Sequence, residues 1–236
     1  EFGADFSVMG GLATVEATLY QQSIEDLILL VDEAPSSGAS NSWQNGGEME
    51  TNGLELALGL NPTSLIDLGG LDWNMHMTYY TNESEVTKLT VDPYNYGGFA
   101  TFLGTYRIEE GWSPTAIVGA DYDADGNHIE LGNENPDFRL SFRNSLSFGP
   151  LSLSFLIDHK EGGHAINLAN LIYDLGATTA DYEENGSRTA VLGGGSTAPY
   201  VESTTYTALR DLSLTYSLPA GLTEGYGLSN VQLGLA

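Results

Sequence analysis

Four acidic positions are where this sequence first suggests chemistry. Asp121, Asp123, Asp125 and Gly126 form D-x-D-x-D-G, the first half of a calcium loop in which alternate carboxylates converge on a hard cation and glycine permits the sharp turn. An EF-hand needs a bidentate glutamate at the twelfth position, which is Gly132 here, and Glu130 stands two residues early. The candidate metal ligands are therefore Asp121, Asp123, Asp125 and Glu130, with a structural Ca2+ as the ion they would take and no other cofactor required. An acidic turn in water has the same spacing, so both readings stand.

Other chemistry is thinner. His76, His128, His159 and His164 show no H-E-x-x-H and no metal-like pairing, so they read as surface or interior histidines. Glu109-Glu110 and Glu183-Glu184 are adjacent in sequence, which does not give the facing separation of roughly 5 to 9 Å that a glycosidase pair needs. Gly193-Gly194-Gly195-Ser196 lacks a lysine at the spacing of a phosphate-binding loop and reads as a loop. No enzyme is expected. Arg139 and Arg143 lie on the polar face of a strand, where they meet a bound group or pair with neighbouring carboxylates. Arg210 falls among apolar positions and its register is unexplained.

The elements that position these residues are strands. Phe138, Leu140, Phe142, Leu146 and Phe148 lie two apart, opposite Arg139, Ser141, Arg143, Ser145 and Ser147, which is strand periodicity. Gly149-Pro150 reverses the chain, and Leu151, Leu153, Phe155 and Ile157 resume the apolar face. Phe138 and Phe148 are ten residues apart, roughly 33 Å along a strand and about 25 Å of height at a 40° tilt, the height of the apolar band of an outer-membrane barrel with an aromatic at each rim. Soluble sandwich strands run shorter.

Further strands are expected over residues 5–9, 12–20, 48–60, 71–79 and 200–218, with another starting at Val231. In the fifth of these, Tyr206, Ala208, Leu212, Leu214 and Tyr216 share one face, and Tyr206 and Tyr216 repeat the ten-residue aromatic spacing. A short strand near 99–106 and a short helix over 165–175 are expected within loops. Tight connections fall at 10–11, 61–65, 149–150 and 219–229, and long ones at 21–46, 81–137 and 159–200. This alternation is what short inner turns and long outer loops of a transmembrane barrel produce. Of the 32 carboxylates, 20 lie in the three long loops.

Composition sets outer limits. The formal charge of −25, from 32 acidic against 7 basic residues, excludes nucleic acid as a partner, because so few cations could not replace its condensed counterions. It fits cation binding, a high-salt habitat or loops that carry charge into water. With no cysteine there is no disulfide framework, thiolate metal site or cysteine nucleophile. No apolar run approaches the eighteen or so residues of a membrane helix, so any span is β. The chain opens at Glu1 without a signal-peptide pattern, and is expected to be a piece of something longer or to have lost its native start.

Several blocks resemble the SusC/RagA-type TonB-dependent transporters. EMETNGLELAL at residues 48–58 is similar to the family's N-x-G-x-E-L-x-L strand, and residues 42–48 to its S-x-x-N-x-G-E run. GWSPTAIVG at 111–119, LGNENPDF at 131–138 and DHKEGG at 158–163 resemble further family motifs, with Glu134 where proline is usual. YVESTTYTALRDLSLTYSLP at 200–219 carries the most specific likeness. The blocks follow family order across nearly the whole chain.

The resemblance implies an all-β, antiparallel transmembrane β-barrel portion, about eight strands of a larger barrel, with long acidic extracellular loops. Residues 1–236 would be the partial C-terminal barrel domain, the plug domain lying outside this chain. Such transporters close about 22 strands around a plugged lumen. The resemblance further implies import of glycan or peptide nutrients across the outer membrane of a Gram-negative, Bacteroidota-type bacterium. The implied partners are a SusD-like surface lipoprotein, outer-membrane lipid, and TonB-ExbB-ExbD through the absent N-terminal part. Related members often carry a D-x-N-x-D-G run in the loop of Asp121. The alternative from another class is a secreted acidic all-β calcium-binding or adhesin-type module using residues 121–125.

Overall fold

A computed structural model of the chain describes residues 1–236 apart from 99, 185, 187 and 189–194. Gly193 and Gly194 of the glycine run therefore lie outside the described residues, as does Phe99 at the start of the expected 99–106 strand. The chain begins with β1 (Phe2–Val8) and β2 (Ala13–Ile24), carries the hairpin β3 (Ile28–Asp32) and β4 (Asn41–Asn45), and returns as β5 (Gly47–Leu60) and β6 (Leu71–Leu89). Four short strands follow: β7 (Tyr94–Tyr96), β8 (Thr105–Ile108), β9 (Ala116–Val118) and β10 (Gly132–Asn133). Next come β11 (Pro136–Phe148), β12 (Leu151–Gly162), β13 (His164–Ile166), helix α1 (Leu168–Leu175), β14 (Val201–Ser203), β15 (Tyr206–Ser217) and β16 (Gln232–Leu235).

Eight of these strands form one sheet in the order β1-β2-β5-β6-β11-β12-β15-β16, every neighbour antiparallel. Sequence order is spatial order, so the sheet is a meander whose successive connections fall alternately at its two ends. The turns at 9–12, 61–70, 149–150 and 218–231 share one end, and the three segments containing β3–β4, β7–β10 and β13–β14 share the other. Gly149 takes φ +57° in the two-residue turn, which a side chain with a Cβ resists.

Register aligns the two faces across the sheet. One row runs Phe6, Val15, Leu58, Met77, Phe142, Ile157, Leu209, apolar on all seven strands. The adjacent row on the other face runs Asp5, Glu16, Ala57, Thr78, Ser141, Asp158, Ala208. The apolar face is not covered by protein: Phe6, Leu56, Phe148, Leu151, Leu209, Leu212, Leu214 and Tyr216 are all exposed. Among the described residues the buried apolar side chains are Leu29, Val86, Ala116, Ile117, Val118, Leu171 and Tyr200, none on the lower part of the sheet. An exposed apolar belt this continuous belongs against hydrocarbon.

Four expectations change. β6 continues past residue 79 to Leu89, pairing with β5 as far as Gly47. At about 3.4 Å per residue its 19 residues exceed the belt height even when tilted, so its upper half stands in water. Glu83, Ser84 and Glu85 there break the alternation that marks a half-buried strand. The expected 99–106 strand is replaced by β8 (Thr105–Ile108) in a four-stranded sheet β10-β9-β8-β7. The expected helix over 165–175 starts only at Leu168, capped by the Asn167 side chain, which accepts from the Asn170 N–H; residues 164–166 are strand β13. The strand expected over 200–218 is two strands, β14 and β15, of which β14 pairs with β13.

Within β15 a bulge explains Arg210. Ile157 pairs Leu209 and Leu156 pairs Asp211, leaving Arg210 as the extra residue. A bulge lets two successive residues keep to one side and reverses the phase of the strand beyond it. Tyr206 and Ala208 consequently share a row with Lys160 and Asp158 on the polar face, whereas Leu212, Leu214 and Tyr216 stay on the apolar one. The shared face and aromatic spacing expected for Tyr206 and Tyr216 are thereby corrected.

Candidate functional site

The D-x-D-x-D-G loop folds differently from an ion cradle. The Asp121 carboxylate accepts from Ser196 Oγ (2.5 Å) and the Thr197 N–H (2.8 Å). Asp123 accepts from the Asp125 N–H (2.9 Å), the Asn127 N–H (2.8 Å) and Asn127 Nδ2 (3.1 Å). Hydrogen bonding from Asn127 holds its carboxyl below the usual aspartate range. Asp125 is exposed at the tip, and Glu130 lines a separate cleft with Glu83, Trp112 and Asp137. No group of three His, Asp or Glu side chains among the described residues is placed to hold a metal. As built, the four candidates do not converge on one ion.

Asp121 serves instead as a latch between the second and third long loops. The buried Thr197 hydroxyl donates to the Phe102 carbonyl (3.0 Å) and accepts from the Ala120 N–H (2.9 Å). Gly119 is required beside it, because a Cβ there would stand 2.3 Å from that of Thr197. Below the latch, the wholly buried β9 fills the space between the loops. In the third loop, buried Asp174 of α1 receives Tyr200 Oη (2.8 Å), the Thr179 hydroxyl and two guanidinium nitrogens of Arg188 (3.0 and 3.2 Å). The Arg188 bonds pull the Asp174 carboxyl down to about 2, and burial pushes the Tyr200 phenol up to about 12. The sequence shows these residues only as unremarked members of a loop, since no periodicity marks a hydrogen-bonded hub.

The histidines do not converge. His128 packs against the Tyr122 ring and burial lowers its basicity. His159 meets Thr207 Oγ1 (2.8 Å) and Glu161 (3.3 Å), His164 lies on β13, and His76 faces the polar side opposite Arg143. Glu109 pairs with Arg107 (2.5 Å) and Glu110 accepts from the Leu89 N–H. Glu183 and Glu184 end a short helix. None forms a facing acid pair.

The polar face of the main sheet is the other candidate surface. Glu16, Thr18, Tyr20, Glu55, Thr78 and Tyr80 line an open cavity of about 460 Å3 on it. Beside this groove, Arg139 stands directly opposite Lys160, and Arg210 donates to Asp158 Oδ2 (3.2 Å) while lying 5.0 Å over the Tyr206 ring. Tyr206 Oη also donates to Asp158 (2.7 Å). Such a wall, polar within and apolar without, with structured loops at one end only, defines an outer-membrane β-barrel.

The chain belongs to the TonB dependent receptor-like β-barrel family, whose model matches residues 1–235. It is similar to TonB-dependent receptor P3 of Formosa agariphila, with 23% identity over 285 residues covering 99% of this chain and 28% of that protein. The fold is similar to part of the RagAB peptide transporter, at TM-score 0.73 and 18% identity over 98% of this chain and 30% of the other. The RagAB peptide importer in its closed-closed state follows at TM-score 0.68 and 18% identity, covering 99% and 31%. This chain spans less than a third of the length of these relatives. The SusC/RagA resemblance and the outer-membrane location of a Gram-negative, Bacteroidota-type cell are borne out, and the secreted calcium module is left without support.

Proposed function

We propose that the chain forms part of the barrel wall and outer mouth of a SusC/RagA-type transporter that imports peptide or glycan nutrients. The observation that carries this is the seven-strand pair of rows, one apolar toward lipid and one polar toward a lumen, beneath long loops locked to one another at one end. The interlocked loops would present a fixed surface to a SusD-like lipoprotein outside the cell. Energy would arrive from TonB-ExbB-ExbD through a part of the protein beyond this chain, and catalysis has no role. In the native organism, deleting the gene should abolish growth on one nutrient class, with peptide mixtures and oligosaccharides tested separately. Growth should return with the intact gene only while TonB is functional. Undiminished growth of the deletion strain on every such nutrient, or rescue in a strain without TonB, would refute the proposal.

A further inference from the structure

Cations are scarce in this chain and unevenly placed. The first 87 residues contain neither Lys nor Arg, and the seven basic residues are Lys88, Arg107, Arg139, Arg143, Lys160, Arg188 and Arg210. Lys88, Arg107 and Arg188 pair with carboxylates in or near the loops. The other four sit on the polar face of β11, β12 and β15, with Arg139, Arg143 and Arg210 exposed and Lys160 only 9% exposed, its stem against Gly163. Arg139 and Lys160 are cross-strand partners, a placement that repels unless an anion lies between them. Arg143 follows Arg139 by four residues on the same face, about 13 Å along the strand. No ion pair is seen for Arg139, Arg143 or Lys160 among the described residues. Asp158 is bonded by Arg210 and Tyr206 and also lies within the field of Arg139, without an ion-pair contact to it. Asp211, in the row of Arg143, Asp137 at the rim, and Glu161, which meets His159 on the other face, are the other acids on these three strands. In contrast, the lumen side of β1, β2 and β5 carries Asp5, Glu16 and Glu55 with no cation.

We propose that Arg139, Lys160 and Arg143 form an oxyanion-binding strip in the lumen, and that the imported solute carries carboxylate groups which seat on it. This deepens the transport reading above and rests on it. The wall is divided by sign: Glu55, Tyr80, Arg139 and Lys160 occupy one row across four adjacent strands, which puts Glu55 and Arg139 about 10 Å apart on either side of the tyrosine. A carboxylate drawn to the paired cations would leave the rest of the solute over Tyr80 and the cavity floored by Glu16, Glu55 and Thr78. There, hydroxyl or amide N–H groups of the solute can donate to the wall's carboxylates. Cations clustered on one wall focus the field and attract an anion more strongly than scattered ones do, while the acidic loops above repel one. Selectivity would therefore come from the strip rather than from the net charge of −25.

The test uses the detergent-purified full-length transporter. Titration calorimetry with hexaglutamate and with oligogalacturonate, each against its uncharged counterpart, hexaglutamine or maltohexaose, separates peptide from sugar as the carrier of the carboxylate. Binding of either acidic probe at least tenfold tighter than its neutral counterpart is expected. In Arg139→Gln and in Arg143→Gln that preference should fall about tenfold, in Arg139→Lys it should be largely kept, and in Lys88→Gln it should be unchanged. Equal binding of acidic and neutral probes, or of neither, overturns the proposal. So does a preference that survives both glutamine variants, or variants that lower the melting temperature without touching probe affinity, which would assign the cations to holding the protein's own interior. Growth that still depends on the gene and on TonB while no acidic probe binds would sink the strip and leave the transport reading intact.

Discussion

At the scale of single residues, the outer loops are held by a few charged hydrogen bonds beside a small apolar core built on Ile117, Val118, Leu171 and Tyr200. Asp121 accepts two bonds from residues 75 and 76 positions away, and bonds to a charged acceptor are each worth about 1.5–3 kcal/mol. Asp121→Ala should therefore free residues 116–120 and 196–198 together, by about 2 kcal/mol of local opening free energy, read as faster amide exchange in both segments. Asp174 sets the pH response of the third loop. Its carboxyl is held at about 2 in the fold against about 3.9 in an unfolded chain. Its contribution is complete above about pH 4 and is lost as pH falls through about 2. Limited proteolysis of residues 168–188 should stay slow from neutrality to pH 4 and accelerate between pH 4 and 2. In Asp174→Asn that transition should be gone and cleavage fast throughout, since Arg188 is left without its carboxylate.

Elements are tied across the belt by polar contacts as well as apolar ones. Asn144 sits on the apolar face between Phe142 and Leu146, is 4% exposed, and accepts from Trp73 Nε1 (2.9 Å) on β6. A buried amide in an apolar setting costs about 1–3 kcal/mol if its partner is removed. Trp73→Phe should destabilise the barrel by about that amount, Asn144→Leu should cost little, and the double variant should cost less than the sum, measured by urea unfolding in detergent. The β15 bulge makes a sharper statement about element geometry. Because the chain has no cysteine, single cysteines at residues 206–216 can be probed one at a time. Positions 208, 210, 211 and 213 should react with a water-soluble maleimide, and 209, 212 and 214 only with a membrane-soluble one. Strict alternation through 210 would remove the bulge.

For the whole molecule, the two sets of connections fall on opposite sides of a membrane. Cysteines placed at Ser37 or Asp125 should be labelled on intact cells by an impermeant reagent, and those at Gly10 or Gly149 only after the outer membrane is opened. The outer side is also a structured layer: β9 is wholly buried there, in contact with neither lipid nor lumen.

The sequence by itself determined the eight strands of the main sheet, the lipid-facing and lumen-facing alternation and the ordering of short and long connections, because each depends on period-two patterning or turn chemistry within a few residues, and its motif blocks carried the family resemblance. It also placed Arg139 and Arg143 on the polar face. Tertiary structure decided what no local pattern carries. The bulge that turns Arg210 inward is a mismatch between two strands and exists only when β12 is beside β15. The upper half of β6 is polar apart from Val86 and Leu89, and Val86 is covered only because the second loop bonds to it through Gly111 and Trp112, so no hydrophobic period could reveal it. Asp121 reads equally as a calcium ligand or a turn residue until Thr197, 76 positions later, takes up its oxygen. Lys160 becomes the partner of Arg139 only through the register of the hairpin. Contacts between residues distant in sequence depend on which strands become neighbours, and that is settled by packing the whole sheet rather than by any window along the chain.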